Sequence, residues 1–451
     1  MVSAACSRTE ESWQICLLSP FLIYGLQLPH SKPLLLLLPM TRNGSSLRPY
    51  SVSGLFLGKQ AANRKWLALL FLYLWRPVTP LPMSFLAQIS EPTLLLNEQI
   101  ARANIRRMAE KAKRQNVRLR PHFKTHQSRQ VGEWFKEEGV TAITVSSVKM
   151  AQYFVRHGWS DITIAFPLNR RQLLQLAELA QQINLGVTVT SADDVVFLRE
   201  QLSVPVNIWV KADTGYGRTG IKTEDTAVLD AVLQELAQTP QHTFLGFLAH
   251  AGHTYKARGK NAIADIHTQT LAKMQALKER YAAAWPGLQL SVGDTPSCSV
   301  MEDFSGIEEI RPGNFVFYDL MQYKIGSCRL EDIAVAMACP VVALHPDRHE
   351  VILYGGAVHL SKDALREPDR VPLFGLVVPL TETGWGAPLP DTTLVSLSQE
   401  HGVVRTSPEL FSQFKVGDLV GVLPVHSCLT ADLMKGYTTL QGEMLEHLSG
   451  V

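Results

Sequence analysis

Lys124 stands between two histidines in the run Arg120-Pro121-His122-Phe123-Lys124-Thr125-His126, directly after Val117 and Leu119, whose alternation reads as a strand. A lysine amine at a strand end is either a solvated surface charge or a nucleophile able to form an imine with a carbonyl compound. Four further segments carry groups suited to an anionic ligand: KADTGYGRTG at 211–220, HAGHTY at 250–255, GDTPSCS at 293–299 and RPGNFVFYD at 311–319. Two of them are rich in Gly, Ser and Thr, whose backbone N–H groups and hydroxyls cradle a phosphate without obstruction. A lysine, a phosphate cup and an arginine at one mouth point to pyridoxal 5′-phosphate (PLP), held through the lysine. Near the C-terminus, PVHSC sets His426 and Cys428 two residues apart. At a strand end this spacing turns both side chains to one side, and imidazole plus thiolate is a pair that zinc accepts. Two ligands alone do not define a metal site.

Whether these residues meet depends on the elements that carry them. From residue 97 the pattern is regular. Ile100, Ile105, Met108 and Ala112 recur at helical spacing, and short β-branched runs then alternate with helical stretches. The strands expected are VRLRPHF, TAITVSS, DITIAFP, NLGVTVT, VNIWVKAD, TFLGFLAHAG, LQLSVGD and a weaker eighth ending in EEIRPGNF. Eight strand–helix units over some 200 residues are what a (β/α)8 barrel requires, and parallel strands buried on both faces explain the continuous apolar runs. An open doubly wound sheet is disfavoured, because no GxGxxG follows the first strand. In a barrel the chemistry sits at the C-terminal strand ends, and every segment named above falls at such an end. Beyond residue 330 strands follow one another without helices, punctuated by Pro, Gly and Asp, which predicts a separate antiparallel β-domain. The domain boundaries expected are 83–325 for the barrel and 326–451 for the β-domain that carries the His–Cys pair.

Residues 1–82 differ from the rest. They hold three proline-broken apolar clusters, each shorter than the roughly 20 residues that span a bilayer, so no transmembrane helix is expected. They read as a targeting segment or as an extension upstream of a true start at Met83. Eight of the 43 Lys/Arg but only Glu10 and Glu11 among the acids lie in residues 1–90, so the main body is mildly acidic and no nucleic-acid partner is expected. The six cysteines form no CxxC pair or regular framework, which predicts a reducing, cytoplasmic setting rather than a disulfide scaffold.

RPHFKTH, DTGYGRTG, HAGHTY, GDTPSCS, EIRPGNFVFYD, LSQEHG and PVHSC, in that order over essentially all of 83–451, resemble the D-serine dehydratase and D-threonine aldolase family. That family shares the alanine racemase type of PLP fold, a barrel followed by a β-domain, paired as a homodimer. The resemblance implies that Lys124 forms the imine with PLP, Arg218 approaches the phenolic oxygen of the cofactor, and Tyr255 lies near its ring nitrogen. It implies that Thr295, Gly313 and Asn314 hold the phosphate. It also makes His426 and Cys428 the expected ligands of a catalytic metal ion completed by water and substrate. Relatives with a carboxylate in place of the cysteine suit manganese or magnesium, so Cys428 favours zinc.

The activity expected is elimination from a small β-hydroxy D-amino acid, first of all D-serine, giving pyruvate and ammonia. Lys124 removes the Cα proton, and the metal ion assists departure of the β-hydroxyl. A D-threonine aldolase or a 3-hydroxyaspartate dehydratase would use the same parts. A racemase would need a second base opposite the lysine, and a non-catalytic PLP carrier would need neither metal pair nor second domain. His122, His126, His250, His253, His359 and His401 receive no assigned role, with His253 favoured over His250 because Gly252 leaves room beside it. Asp213 and the EEI run at 308–310 are expected to be structural. A chain begun at Met83 is predicted to be soluble and fully active in a product assay, and failure of that shortened chain to fold would make residues 1–82 an integral element.

Overall fold

Besides the backbone of four short strands, Cys6–Arg8, Trp13–Leu18, Phe21–Leu26 and Leu34–Pro39, the computed structural model describes residues 85–448. The four strands pair with one another as an antiparallel sheet in sequence order, and the remaining expectations for residues 1–82 lie outside the described residues.

Eight parallel strands follow along the chain: β1 Arg118–Leu119, β2 Ile143–Val145, β3 Asp161–Pro167, β4 Asn184–Val189, β5 Asn207–Asp213, β6 Thr243–Ala249, β7 Gln289–Val292 and β8 Glu309–Ile310. They neighbour one another in sequence order from β2 to β8, with β8 beside β1. A parallel bridge between His122 and Thr144 joins β1 to β2 and closes the ring. The (β/α)8 barrel read from the alternation is therefore present, with each run expected to be a strand found as one. Four of the connecting helices start on side-chain caps: Ser128, Ser147, Ser191 and Asp225 each accept a backbone N–H of the first turn.

The barrel interior is not wholly apolar. Arg120 (β1) pairs with Asp161 (β3) at 2.6 Å and with Glu309 (β8), and Glu309 also accepts from the Ser291 hydroxyl (β7) at 2.7 Å. Arg311 continues the chain of contacts to Ser291 and to the Ala249 carbonyl (β6). Arg120, Glu309 and Arg311 are all at most 4% exposed, so these charges are worth what their mutual geometry makes of them. The network ties β1, β3, β6, β7 and β8 together just below the strand ends. Glu309 in the EEI run is thus structural, as expected.

The second sheet contains β9 Val335–His345, β10 Glu350–Tyr354, β11 Gly375–Val378, β12 Thr393–Leu397, β13 His401–Arg405 and β14 Leu419–Pro424, which close as an antiparallel barrel in the order 9-10-13-12-11-14-9. β9 is long enough to pair with β10 at its far end and with β14 at its near end. One strand of this sheet comes from elsewhere: Thr93–Leu96, within the segment assigned to the barrel, pairs antiparallel with β9 and parallel with β15 Gly436–Thr439, itself followed by β16 Met444–Glu446. Leu94, Leu95 and Leu96 are at most 2% exposed. A run of three leucines buried on both faces offers no alternation by which sequence could place it in either sheet. From Thr93–Leu96 the chain passes through Asn97, which caps the helix Glu98–Arg114, into the barrel.

Substituting Glu309→Leu leaves the buried Arg120 with Asp161 alone and takes from Ser291, the partner of Arg311, its acceptor, and is expected to lower stability by about 3–5 kcal/mol. A denaturant midpoint in that variant within experimental error of the parent would show that the charge network does not hold the strands.

Candidate active site

Lys124 owes its position to what pins its neighbours. The Phe123 N–H donates to Thr144 O at 2.9 Å and the His122 N–H to Pro312 O at 2.8 Å, so β2 and β8 grip the chain from both sides immediately before the lysine. The Phe123 side chain is fully buried, with ring centroids 5.0, 4.9 and 5.1 Å from Phe135, Phe154 and Trp159. With Phe123 turned inward, Lys124 emerges on the exposed side at the mouth. The β-domain holds the following turn: Tyr437 donates to His126 O at 2.6 Å, Leu448 N–H to Gln127 O at 2.7 Å, and Gln127 to Asp432 at 3.2 Å.

Lys124 opens into a cavity of about 220 Å³. Arg218, Tyr255, Gly313, Asn314, His426 and Cys428 line it as well, so seven of the eight residues singled out in the sequence meet in one place. The eighth, Thr295, is buried behind the wall, where its Oγ1 accepts the Asn314 N–H at 3.0 Å and its own N–H lies 3.5 Å from the Tyr255 hydroxyl. Gly313 is required by packing: a Cβ there would come within 2.9 Å of His122 O, against the backbone that carries the lysine. The Asn314 side chain is directed to Asp319, Ser427 and Cys428, on the side of the His–Cys pair, while its backbone faces Thr295.

The loop after β5 is shaped by Asp213, whose carboxylate accepts the N–H groups of Gly215 and Gly217. It is structural, as expected, and presents Arg218, whose guanidinium lies 5.1 Å from the Tyr216 ring centre. Tyr216 corrects the preference for His253. Its ring fills the space beside Gly252, so that a Cβ on that glycine would meet it at 2.4 Å, and His253 is not among the cavity-lining residues. His250 lines the cavity instead, its Nδ1 2.7 Å from Gly293 O. A carbonyl only accepts, so Nδ1 carries the proton and Nε2 is an acceptor. Of the two histidines flanking the lysine, His122 lines the cavity and accepts the Lys124 N–H on Nδ1. His126 is buried among Phe123, Phe135 and Phe154. In the β-domain, His359 accepts the Gly356 N–H, and the exposed His401 opens β13.

Lys211 and Arg311, which head two of the segments singled out in the sequence, are both buried and both line the cavity. Burial, with Arg311 and Arg218 nearby, pulls the Lys211 ammonium down to about 7, and burial lowers Arg311 to about 10. Burial holds His250 down at about 3 and His122 well below its ordinary value, so both imidazoles are neutral. Against these cations stand Asp294 and Asp319, whose carboxyls burial pushes upward. The balance of charge favours an anionic ligand.

His426 and Cys428 do not sit on a strand. β14 ends at Pro424, His426 is the N-terminal flank of the helix Ser427–Met434, and Cys428 lies in its first turn. The pair meets because the chain turns between them, a reason different from the strand alternation expected. Asp363, which no motif marked, lies 2.7 Å from His426 Nδ1. Burial disfavours the imidazolium, but Asp363 and Cys428 outweigh it and raise His426 to about 11; burial likewise raises Cys428, and His426 outweighs it, holding the thiol below its usual range. Imidazole and thiolate side by side are a donor set suited to a zinc-like ion. Among the described residues no third His, Cys, Asp or Glu joins them as a ligand set, so such an ion would keep open positions.

The family model of the alanine racemase N-terminal domain matches residues 96–320, and that of the putative serine dehydratase domain matches 334–440. The chain is 28% identical over 393 residues to a D-serine dehydratase of Dictyostelium discoideum, covering 79% of this chain and 94% of that one. It is 26% identical over 371 residues to a D-threonine aldolase of Arthrobacter sp., covering 80% and 92%. Among solved structures, D-threo-3-hydroxyaspartate dehydratase from Delftia sp. superposes with a TM-score of 0.74 at 28% identity, over 82% of this chain and all of that one. A mutant of that dehydratase with a cysteine replaced by alanine was solved in the metal-free form. The likeness to alanine racemase of Clostridium difficile, with a TM-score of 0.57 at 12% identity over 80% of this chain and 100% of that one, is one of fold. With both of its matched domains in this order and its motifs gathered at one mouth, the chain belongs to the D-serine dehydratase and D-threonine aldolase family.

Proposed function

We propose that this protein is a PLP-dependent D-amino-acid lyase, most specifically a D-serine dehydratase, working as a cytoplasmic homodimer with zinc. The observation that carries the reading is one exposed lysine amine in a cavity lined by buried cations, with an imidazole–thiolate pair at the same mouth. The PLP assignment is supported by the donor set: an amine for an aldehyde, Arg218 for a phenolate, and Gly313 and Asn314, backed by Thr295, for a phosphate. All four described cysteines are free, which suits a reducing compartment, and no helix among the described residues is long and apolar enough to cross a membrane.

Bound PLP supplies an electron sink for the pair left at Cα when its proton departs. Lys124 would be the base at that carbon, because it is the lysine that reaches the open side of the cavity while Lys211 is enclosed. The cationic wall formed by Lys211, Arg218 and Arg311 would draw an anionic substrate and cofactor into the cavity. Neutral His250 and His122 offer hydrogen-bonding ring nitrogens at this wall without adding charge. His426 and Cys428 would hold zinc, which would supply Lewis-acid polarisation of the β-hydroxyl and so offset the poor leaving ability of hydroxide. Asp363 fixes the His426 ring and so the nitrogen that faces the metal.

Lys124→Ala is expected to abolish turnover and the visible absorbance of the lysine-bound cofactor while leaving the fold intact. A borohydride-trapped adduct that persists in this variant would transfer the role to Lys211, which also lines the cavity.

Removing metal should stop pyruvate formation from D-serine by at least about a hundredfold and leave PLP bound, because the phosphate and imine contacts lie on the barrel side. β-Chloro-D-alanine, whose chloride leaves unaided, should keep much of its rate. Equal losses on both substrates would make the metal structural, and faster release of glycine from D-threonine than of pyruvate from D-serine would turn the reading to an aldolase.

A further inference from the structure

Asp319 ends the RPGNFVFYD segment on the barrel side of the cavity and is 1% exposed. Its Oδ1 accepts the Gln322 N–H at 2.9 Å, the ordinary N-cap contact of the helix Leu320–Ile325. The cap leaves Oδ2 free, yet Oδ2 is the busier oxygen. It accepts Asn314 Nδ2 at 2.7 Å, the Ser427 N–H at 3.0 Å and the Ser427 hydroxyl at 3.2 Å. Ser427 is the residue between His426 and Cys428, and it belongs to the other domain. Asn314, held by the same oxygen, reaches Ser427 Oγ at 3.0 Å and Cys428 Sγ at 3.4 Å. One carboxylate therefore gathers an amide from the end of β8 and the turn that follows β14.

Each neighbour of Oδ2 is a donor, so the group acts as an acceptor throughout. The opposite end of the pair is tied separately, by Asp363 on His426 Nδ1. Thr125, one residue after the lysine, stands 3.3 Å from Cys428 Sγ. A metal ion given only two protein ligands depends on how firmly those two are set beforehand, since no third ligand corrects their geometry.

We infer that Asp319 is the positioning residue that sets the His426–Cys428 turn against the barrel mouth, and thereby sets the affinity of the pair for a divalent metal ion. The inference rests on reading His426 and Cys428 as metal ligands. Capping alone would use Oδ1; the contacts of Oδ2 serve the pair.

The test is a zinc competition titration against a chromophoric chelator, on PLP-loaded, metal-stripped protein, for the parent, Asp319→Asn, Ser427→Ala and His426→Ala. Asp319→Asn should bind zinc about 10- to 100-fold more weakly than the parent, with the visible absorbance of bound PLP retained. Ser427→Ala, which deletes the two hydroxyl contacts and keeps the backbone N–H, should show a smaller loss in the same direction. Parent-like zinc affinity in Asp319→Asn overturns the inference. If that variant does not fold, unchanged affinity in Ser427→Ala overturns it and weakened affinity upholds it. Parallel loss of PLP and zinc in Asp319→Asn would also overturn it, as general loosening of the mouth. Parent-like affinity in His426→Ala would remove the metal reading itself, and this proposal with it.

Discussion

Closure of the barrel between β1 and β2 is the constraint on which the rest of the mouth depends. β1 is only two residues long, and the ring closes through the His122–Thr144 bridge and the Phe123 N–H to Thr144 O bond just beyond it. These backbone bonds fix the dihedrals of the residues directly before Lys124, while Phe123 buries its ring and forces the lysine outward. Gly313 belongs to the same arrangement, since a side chain there would push β8 away from His122. A nucleophile placed this way loses little further freedom when it reacts, because the fold has already ordered its backbone.

The second organising feature is electrostatic. Arg120, Glu309 and Arg311 run across the barrel below the mouth, and Lys211 stands in the same interior. Buried cations without enough carboxylates are costly, and the downward shifts of Lys211 and Arg311 register that cost. An anionic cofactor and an anionic amino acid would relieve it. The same burial keeps His122 and His250 neutral, so protonation of imidazoles does not add to the positive charge at neutral pH.

The β-domain is a working part of this arrangement. Its C-terminal strands and helix hold the turn after Lys124 through Tyr437, Leu448 and Asp432, and its β14 turn brings His426 and Cys428 over the mouth. The strand Thr93–Leu96, inserted beside β9, makes the barrel and the β-domain start from one continuous segment. Asn314, Asp319 and the Met321 N–H to Val425 O bond at 3.1 Å tie the end of β8 directly to the His426–Cys428 turn.

The alternation of apolar runs and amphipathic helices, the cap residues, and the placement of KTH, DTGYGR, GDTPS and RPGN after strands were legible because each is a local property, set by periodicity and turn chemistry within a dozen residues. With the rule that barrel chemistry sits at the C-terminal strand ends, those local signals sufficed to collect Lys124, Arg218, Tyr255, Gly313 and Asn314 in one cavity. What the tertiary structure alone decided depends on segments far apart in the chain. The leucines of 93–96 pair with β9 some 240 residues later in the sequence, a match that no local pattern encodes. His250 faces the cavity in place of His253 because Tyr216 fills the gap, and His126 is core because three distant phenyl rings surround it. Lys211 reads from sequence as any strand lysine. Its burial, its lowered pKa, and the grip of Asp319 and Asp363 on the His426–Cys428 turn come from neighbours supplied by other strands, because desolvation and hydrogen bonding respond to proximity in space and not to order along the chain.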